Sequence, residues 1–383
     1  MTKQADIAVF GDRQTPFYHY DLDLLKHTLD KAISASKPYG YHIHYALKAN
    51  SNPRILEVIS RSGFGADCVS GNEILRAIEN GFSASNIAFA GVGKSDREMK
   101  IGLEKDIFTF NVESIEELKV LNELAGEAGK IAPVALRINP NVNARTHHYI
   151  TTGLEENKFG INSWEFDEVI ELLDEMKHVE LKGLHFHIGS QITELSVFKG
   201  LCLRVNEIQQ YFISRRYLPS HINLGGGLGV EYEHPDNALI PDFKAYFRVF
   251  HDHLELQPGQ EVHFELGRSL VAQCGSLITR VLYIKKGLNV DFAIVDAGMT
   301  ELIRPALYQS VHCIEKLGSE GEKAECIYDV VGPICESSDC FAKRISLPEL
   351  SRGDLLVIRT AGAYGEVMSS SYNLRSKAES YYE

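Results

Sequence analysis

The sequence predicts an α/β protein, a (β/α)8 barrel followed by an all-β domain. Three observations point there. Between about residues 25 and 267, eight short β-rich runs alternate with amphipathic helical segments, the strand count and length of such a barrel. After residue 268 the texture shifts to β-branched runs broken by turn residues. Four of the eight runs end in residues suited to chemistry, and barrels place their chemistry at the C-terminal ends of their strands. On alternation alone, a doubly wound open sheet is the alternative.

The elements follow in order. The N-terminal "FYHYDLDLLKHTL" carries a strand and then a helix capped at Asp21 or Asp23. Its strand is expected to pair with the β domain, because the barrel count is complete without it. Barrel strands are predicted at 41–47 (YHIHYAL), 65–69 (GADCV), 86–90 (NIAFA), 107–110 (IFTF) and 133–138 (PVALRI). Three more lie at 181–188 (LKGLHFHI), 221–224 (HINL) and 261–265 (EVHFE). Helical segments such as "NPRILEVISRS", "GNEILRAIENG", "SIEELKVLNELAGEAG" and "EFDEVIELLDEMKHV" fill the gaps, several with a Ser, Asn or Asp cap in front. "SLVAQCGSLITRVLYIKKG", "VDFAIVDAG", "AECIYDVVGPI" and "GDLLVIRTAGAYG" supply the later strands. The expected division is a barrel over 25–267 and a β domain built from 1–24 and 268–383.

Composition narrows the function. Of the 383 residues, 39 are basic and 52 acidic, a net charge of −13. This balance argues against nucleic acid or an anionic membrane as the main partner and leaves small anionic substrates open. No apolar run is long enough for a membrane span, and "MTKQADIAVFGDRQ" lacks a signal-peptide core. Seven cysteines at scattered spacings read neither as a disulfide framework nor as a zinc site. A reducing cytoplasm is the expected compartment.

"HIHYALKANS" puts His44, Ala46 and Lys48 on one strand face and delivers Lys48 to the point where the strand breaks. A lysine beside a small neighbour can point into a cavity, and a desolvated amine condenses with carbonyl groups. The plain reading is a surface lysine ending a strand. "NLGGGLGV" leaves backbone N–H groups bare for an oxyanion but fails the dinucleotide fingerprint. With Gly267 and Arg268 it suggests a phosphate held by the loops after the last two strands. Glu265 ends the eighth run, where a structural pair with Arg268 competes with a role against a cofactor. An aldehyde, a pyridine and a phosphate would suit the lysine, the acid and the glycines, and pyridoxal phosphate carries all three. His185 and His187 share a strand face. A metal pair is one reading, but no third ligand has helpful spacing and no metal site is expected. The other is a flat imidazole stacked on the cofactor, for which His187 stands nearer the strand end. Ser190 follows in the turn, within reach of a phosphate.

These motifs, together with "GADCVSGNE", "GLEENKFGI", "DAGMTELIRPALY", "GPICESSD" and "GAYG", resemble the diaminopimelate decarboxylase family. It belongs to the barrel-fold pyridoxal-phosphate decarboxylases that also act on ornithine and arginine, and the likeness spans about residues 15 to 375. The resemblance implies conversion of meso-2,6-diaminopimelate to L-lysine and carbon dioxide, with pyridoxal 5'-phosphate as cofactor. It also implies a homodimer whose active sites are shared. Lys48 would hold the cofactor, His187 would stack on it, and Glu265 would meet its ring nitrogen. Ser190, Gly227, Gly267 and Arg268 would serve the phosphate, Arg268 reaching the substrate as well. Asp67 and Glu73 would support them. Arg304 and Tyr308 would read the substrate carboxylate, and Tyr364 would touch cofactor and substrate. Cys335 would donate a proton and Glu336 bind the distal amine, both from a second subunit.

Physical chemistry agrees: a second carboxylate calls for an arginine fork and a distal ammonium for an acid. Taken singly, Arg304 reads equally as a salt bridge and Glu336 as a solvated acid. Leu266, where proline is usual, Glu366, where an apolar residue is usual, and an early C-terminus depart from the family. Decarboxylation of ornithine, arginine or carboxynorspermidine is the near alternative. Alanine racemase shares the fold but sets arginine at the ring nitrogen, where Glu265 stands here. An inactive regulatory homologue would not need Lys48 or Cys335.

Overall fold

Among the described residues, one strand precedes the barrel: β1 (Phe17–Tyr20). The computed structural model describes residues 10–142, 158–319 and 321–383, so most of the "GLEENKFGI" motif lies outside the described residues. Helix α1 (Leu22–Ser36) follows β1, and the Asp21 carboxylate accepts the Leu24 N–H at 2.7 Å, which makes Asp21 the cap.

Eight parallel strands then close into a barrel. They are β2 (His42–Ala46), β3 (Gly65–Cys68), β4 (Ile87–Phe89), β5 (Thr109–Val112), β6 (Ala132–Ile138), β7 (Val179–Phe186), β8 (His221–Asn223) and β9 (Glu261–Leu266). Closure is made by β2 against β9, with His42 opposite His263 and His44 opposite Glu265. Helices α2 (Pro53–Arg61), α3 (Gly71–Glu79), α4 (Asp96–Lys105), α5 (Ile115–Glu127), α6 (Phe166–Glu175), α7 (Ser196–Ser214) and α8 (Phe243–His253) alternate with the strands. Asn52, Ser70, Ser114 and Asp242 cap four of them by accepting backbone N–H groups, each worth about 1 kcal/mol. Helix α2 shows the pattern the others repeat: Ile55, Leu56 and Ile59 form a buried stripe, each side chain contributing roughly 1.5–3 kcal/mol.

Several strand ends move from their expected places. Strand β2 stops at Ala46, and Lys48 sits in the 3₁₀ turn Leu47–Ala49 instead of ending the strand. The fourth expected run, 107–110, becomes β5 at Thr109–Val112. Asp106 takes a left-handed cap conformation (φ 53°), and the Ile107 N–H is spent on the Gly102 carbonyl closing α4. Strand β7 begins at Val179 and ends at Phe186, which leaves His185 in the strand and His187 just beyond it. Strand β9 runs one residue past Glu265, and Leu266 is buried opposite Tyr45.

The chain divides into two compact units. The barrel unit takes Lys26–Gly229 and Pro241–Gly267, and the other takes residues through Leu25, Val230–Ile240 and Arg268–Glu383. This second unit is built on β10 (Gly275–Lys285), β11 (Asp291–Val295), β12 (Ile314–Lys316), β13 (Cys326–Val331), β14 (Cys340–Leu347), β15 (Leu355–Ile358) and β16 (Glu379–Tyr382). The sheet order is β12-β15-β10-β11-β13-β14, and β1 joins it antiparallel to β10 and parallel to β16. Phe10, Phe17, Ile278, Leu355 and Val357 form a buried cluster there. Glu366 accepts the Tyr20 hydroxyl at 2.7 Å.

Candidate active site

At the C-terminal ends of the barrel strands stand two sets of ionisable groups. The 3₁₀ turn after β2 places the Lys48 amine 3.1 Å from an Asp67 carboxylate oxygen, with Asp67 fully buried in β3 and Lys48 partly exposed. Burial raises the Asp67 carboxyl and nearby Glu265 raises it further, against the opposing pull of Lys48, to about 7. The other Asp67 oxygen is buried with no hydrogen-bond partner among the described residues. Glu73 accepts the Val69 N–H at 2.7 Å at the start of α3, and burial raises its carboxyl. It thereby fixes the loop that follows β3.

Glu265 is the second group. Asn111 and Asn223 donate side-chain N–H groups to one of its oxygens at 3.0 and 2.8 Å, and His185 Nε2 lies 2.9 Å from the other. Burial would push this carboxyl up. His185, Lys48 and His187 outweigh burial and hold it below the usual carboxylate range. A carboxylate offers about four acceptor positions, so three donors leave one for a further cationic N–H. His185, whose sequence reading offered a metal pair with His187, is thus the acid's partner.

His187 receives the Gly226 N–H on Nδ1 at 3.3 Å. Its surroundings, Lys48 and Arg137 lower its pKa well below the ordinary value, so the neutral ring carries its proton on Nε2. Arg137 is itself tied to Glu113 at 2.8 Å. The loops carrying Ser190 and Gly227 are laced together: the Ile192 N–H donates to the Gly227 carbonyl at 2.8 Å, and Gly229 N–H returns a bond to Ile192 at 3.0 Å. Gly225 and Gly227 adopt positive φ, 65° and 106°, and a Cβ on Gly226 would stand 2.0 Å from the Glu265 carbonyl oxygen. Only glycine lets this loop lie so close to the end of β9. At Gly267 a Cβ would press on Ala49 and Ala46, so this glycine lets the end of β9 pack against the Lys48 turn.

The second unit holds its own cluster. Arg304 starts the short helix α10 (Arg304–Tyr308; α9 is Arg268–Val271) and is 4% exposed. It donates to the Tyr232 hydroxyl at 2.8 Å and to the Ser310 hydroxyl at 3.1 Å, while its Nε is buried with no hydrogen-bond partner among the described residues. Arg268, also buried, donates to the same Tyr232 hydroxyl and lies 4.7 Å from the Tyr364 ring centroid. Two buried guanidiniums converging on one phenol make a site that an anion would relieve. Tyr308 is half-buried, and Tyr364 holds a left-handed backbone, φ 57°, a strained conformation of the kind found at functional sites. Cys335 is an exposed thiol whose N–H approaches Asn373, and Glu336 accepts the Tyr372 hydroxyl at 2.7 Å. All seven cysteines are free, and no described helix is long and apolar enough to cross a membrane.

Asn111, Asn223, Tyr232 and Ser310 escaped the sequence reading. A polar residue at an inward strand position, as in "TFNV" and "HIN", was the available signal for the two asparagines.

A pyridoxal-type cofactor suits these residues. An amine ion-paired to a buried acid can receive an aldehyde, and an ionised acid with an acceptor position to spare can receive a pyridinium N–H. Glycine loops that tolerate no side chain suit a phosphate.

Residues 25–272 match the family model described as "Pyridoxal-dependent decarboxylase, pyridoxal binding domain". The chain is 57% identical over 373 residues to a diaminopimelate decarboxylase of Bacteroides thetaiotaomicron, covering 97% of this chain and 96% of that protein. It is 42% identical to the enzyme of that name from Helicobacter pylori, with 96% and 90% covered. The crystal structure of a diaminopimelate decarboxylase from Helicobacter pylori complexed with L-lysine superposes with a TM-score of 0.92 at 41% identity, over 98% of this chain and 93% of that one. A lysine/ornithine decarboxylase from Vibrio vulnificus, 20% identical with a TM-score of 0.84 over 99% and 96%, shares the fold.

Proposed function

Because this chain belongs to the diaminopimelate decarboxylase family of pyridoxal-phosphate enzymes, we propose that the residues just described carry out the decarboxylation of meso-2,6-diaminopimelate to L-lysine and carbon dioxide. The chain is a pyridoxal-phosphate-dependent carboxy-lyase. When bound, the cofactor supplies an electron sink for the pair left behind as carbon dioxide departs. Everything else falls to the protein.

Lys48 is the amine that holds the cofactor, and Asp67 positions that amine. Glu265, ionised by its three donors, holds a proton on the pyridine nitrogen through a charge-assisted hydrogen bond. Asn111, Asn223 and His185 fix the acid's orientation. Neutral His187 packs a flat face on the ring, its orientation set by the Gly226 N–H. Ser190, the Gly225–Gly227 loop, Gly267 and Arg268 hold the phosphate. Arg304, with Tyr308 nearby in sequence, reads the substrate's second carboxylate, and Tyr364 lines the cofactor and substrate. A second copy of the chain supplies Cys335 as proton donor and Glu336 as partner for the distal ammonium. The chain thus works as a homodimer, in the cytoplasm, on a small amino acid.

The observation that carries this reading is the pairing of Lys48 with Asp67 beside an ionised, triply hydrogen-bonded Glu265. Purified Lys48→Ala protein is expected to lose the visible absorbance of bound cofactor and at least 1,000-fold in turnover, roughly 4 kcal/mol. Borohydride reduction of the wild type should mark the peptide containing Lys48. A mark on a different peptide would refute the assignment.

A further inference from the structure

The N-terminal mouth of the barrel holds a second cluster of donors, at the opposite ends of β2, which leads into the Lys48 turn, and β9, which carries Glu265. His42 begins β2, and Glu261 and His263 lie at the start of β9. His42 and His263 face each other across the seam that closes the barrel, their rings stacked at 4.8 Å. One ligand atom from each of His42, Glu261 and His263 lies within 4.8 Å of the other two. A cavity of about 520 Å³ opens onto these three and onto His44, Phe108 and Lys37.

The hydrogen bonds fix where the lone pairs point. The Asn86 carbonyl can only accept, so His44 Nδ1, 3.1 Å away, carries a proton. With its proton on Nδ1, a neutral His44 leaves its Nε2 bare. That nitrogen lies 2.8 Å from His263 Nδ1, so His263 is the donor and carries its proton on Nδ1. His263 Nε2 is then bare, and it faces a Glu261 carboxylate oxygen at 3.3 Å. Two acceptors therefore confront each other, with a second imidazole alongside and space in front. A cation between them would turn that repulsion into coordination.

We propose that His42, Glu261 and His263 form a binding site for a borderline divalent transition metal such as Zn²⁺, which clasps the first and last strands of the barrel. Two imidazoles and one carboxylate match the donor types that Zn²⁺ takes in tetrahedral sites, with water completing the shell. At metal–ligand distances of about 2.0–2.1 Å, tetrahedral donors stand about 3.3 Å apart, the separation already present between Glu261 and His263. His42 is exposed and closes on the ion by turning its side chain. The His263–His44–Asn86 chain is the outer support that metal-bound histidines use to set tautomer and ring orientation. The ion ties together strands far apart in sequence, so its effect is on barrel stability.

The holoenzyme, freed of metal by dialysis against a chelator, should be titrated with ZnCl₂ against a chromophoric zinc indicator. One Zn²⁺ per chain is expected. His42→Ala and Glu261→Gln change exposed side chains and leave the core intact, and each should weaken binding at least tenfold. Cys335→Ser serves as control for zinc captured by the exposed thiol and should bind as the wild type does. Zinc should raise the melting temperature of the wild type and leave that of His42→Ala unmoved. Absence of binding overturns the proposal. So does binding that survives in either of the first two variants, or that disappears in Cys335→Ser.

Discussion

Arg304 is a buried cation whose described hydrogen-bond partners are a phenol and a hydroxyl. Burying a guanidinium without a counter-charge is costly, and its Nε has no hydrogen-bond partner among the described residues. A carboxylate ligand would repay that cost with two parallel hydrogen bonds, which the planar fork can make and an ammonium cannot. Arg304→Lys should therefore raise the apparent Michaelis constant for diaminopimelate about tenfold or more, with a smaller change in kcat. An unchanged constant would move the role to Arg268. At this scale the proposed site residues stand out because each sits in a short motif that suggests a chemistry: Lys48 in "YALKANSN", Glu265 in "ELGRS", Arg304 in "RPALY". Their partners do not. The bonds of His185, Asn111 and Asn223 to Glu265 span 80, 154 and 42 residues, and only barrel closure brings them together.

The glycine loop after β8 shows what an element contributes that its residues do not. Its backbone accepts the Glu265 N–H at 2.8 Å through the Gly225 carbonyl and donates to His187 through Gly226. One turn thus registers the acid against His187. A methyl group on Gly226 would meet backbone, 2.0 Å from the Glu265 carbonyl oxygen, and backbone cannot swing aside. Gly226→Ala should weaken cofactor binding at least tenfold while far-ultraviolet circular dichroism stays barrel-like. Cofactor titration of the variant by fluorescence quenching measures this, and wild-type affinity would show that the loop does not shape the site. Strand and helix identities were legible from period-2 and period-3.6 patterning. Their ends were less so, because local closures compete with the ladder: a 3₁₀ turn takes Lys48 out of β2, and a left-handed Asp106 delays β5 by two residues. The histidine cluster at the other mouth of the barrel left no motif, since His42, Glu261 and His263 meet only where the last strand finds the first.

For the whole molecule, the proposed sharing of sites between copies makes a quantitative prediction. Lys48→Ala and Cys335→Ala proteins should each be nearly inactive. Mixed equally and allowed to exchange, half the dimers would be mixed, and each mixed dimer would carry one site missing both groups and one intact site. Activity should recover to about a quarter of wild type. No recovery, with exchange verified by mass spectrometry, would mean that each site is built within one chain. The assignment of the reaction itself has a more direct test. The cofactor-loaded protein should be incubated in parallel with meso-diaminopimelate, ornithine, lysine and arginine, and the amine products and carbon dioxide quantified. Lysine and carbon dioxide formed in equal amounts from diaminopimelate, with no product from the other three, is the predicted result. Putrescine, cadaverine or agmatine at a comparable rate, or no lysine from diaminopimelate, would contradict it.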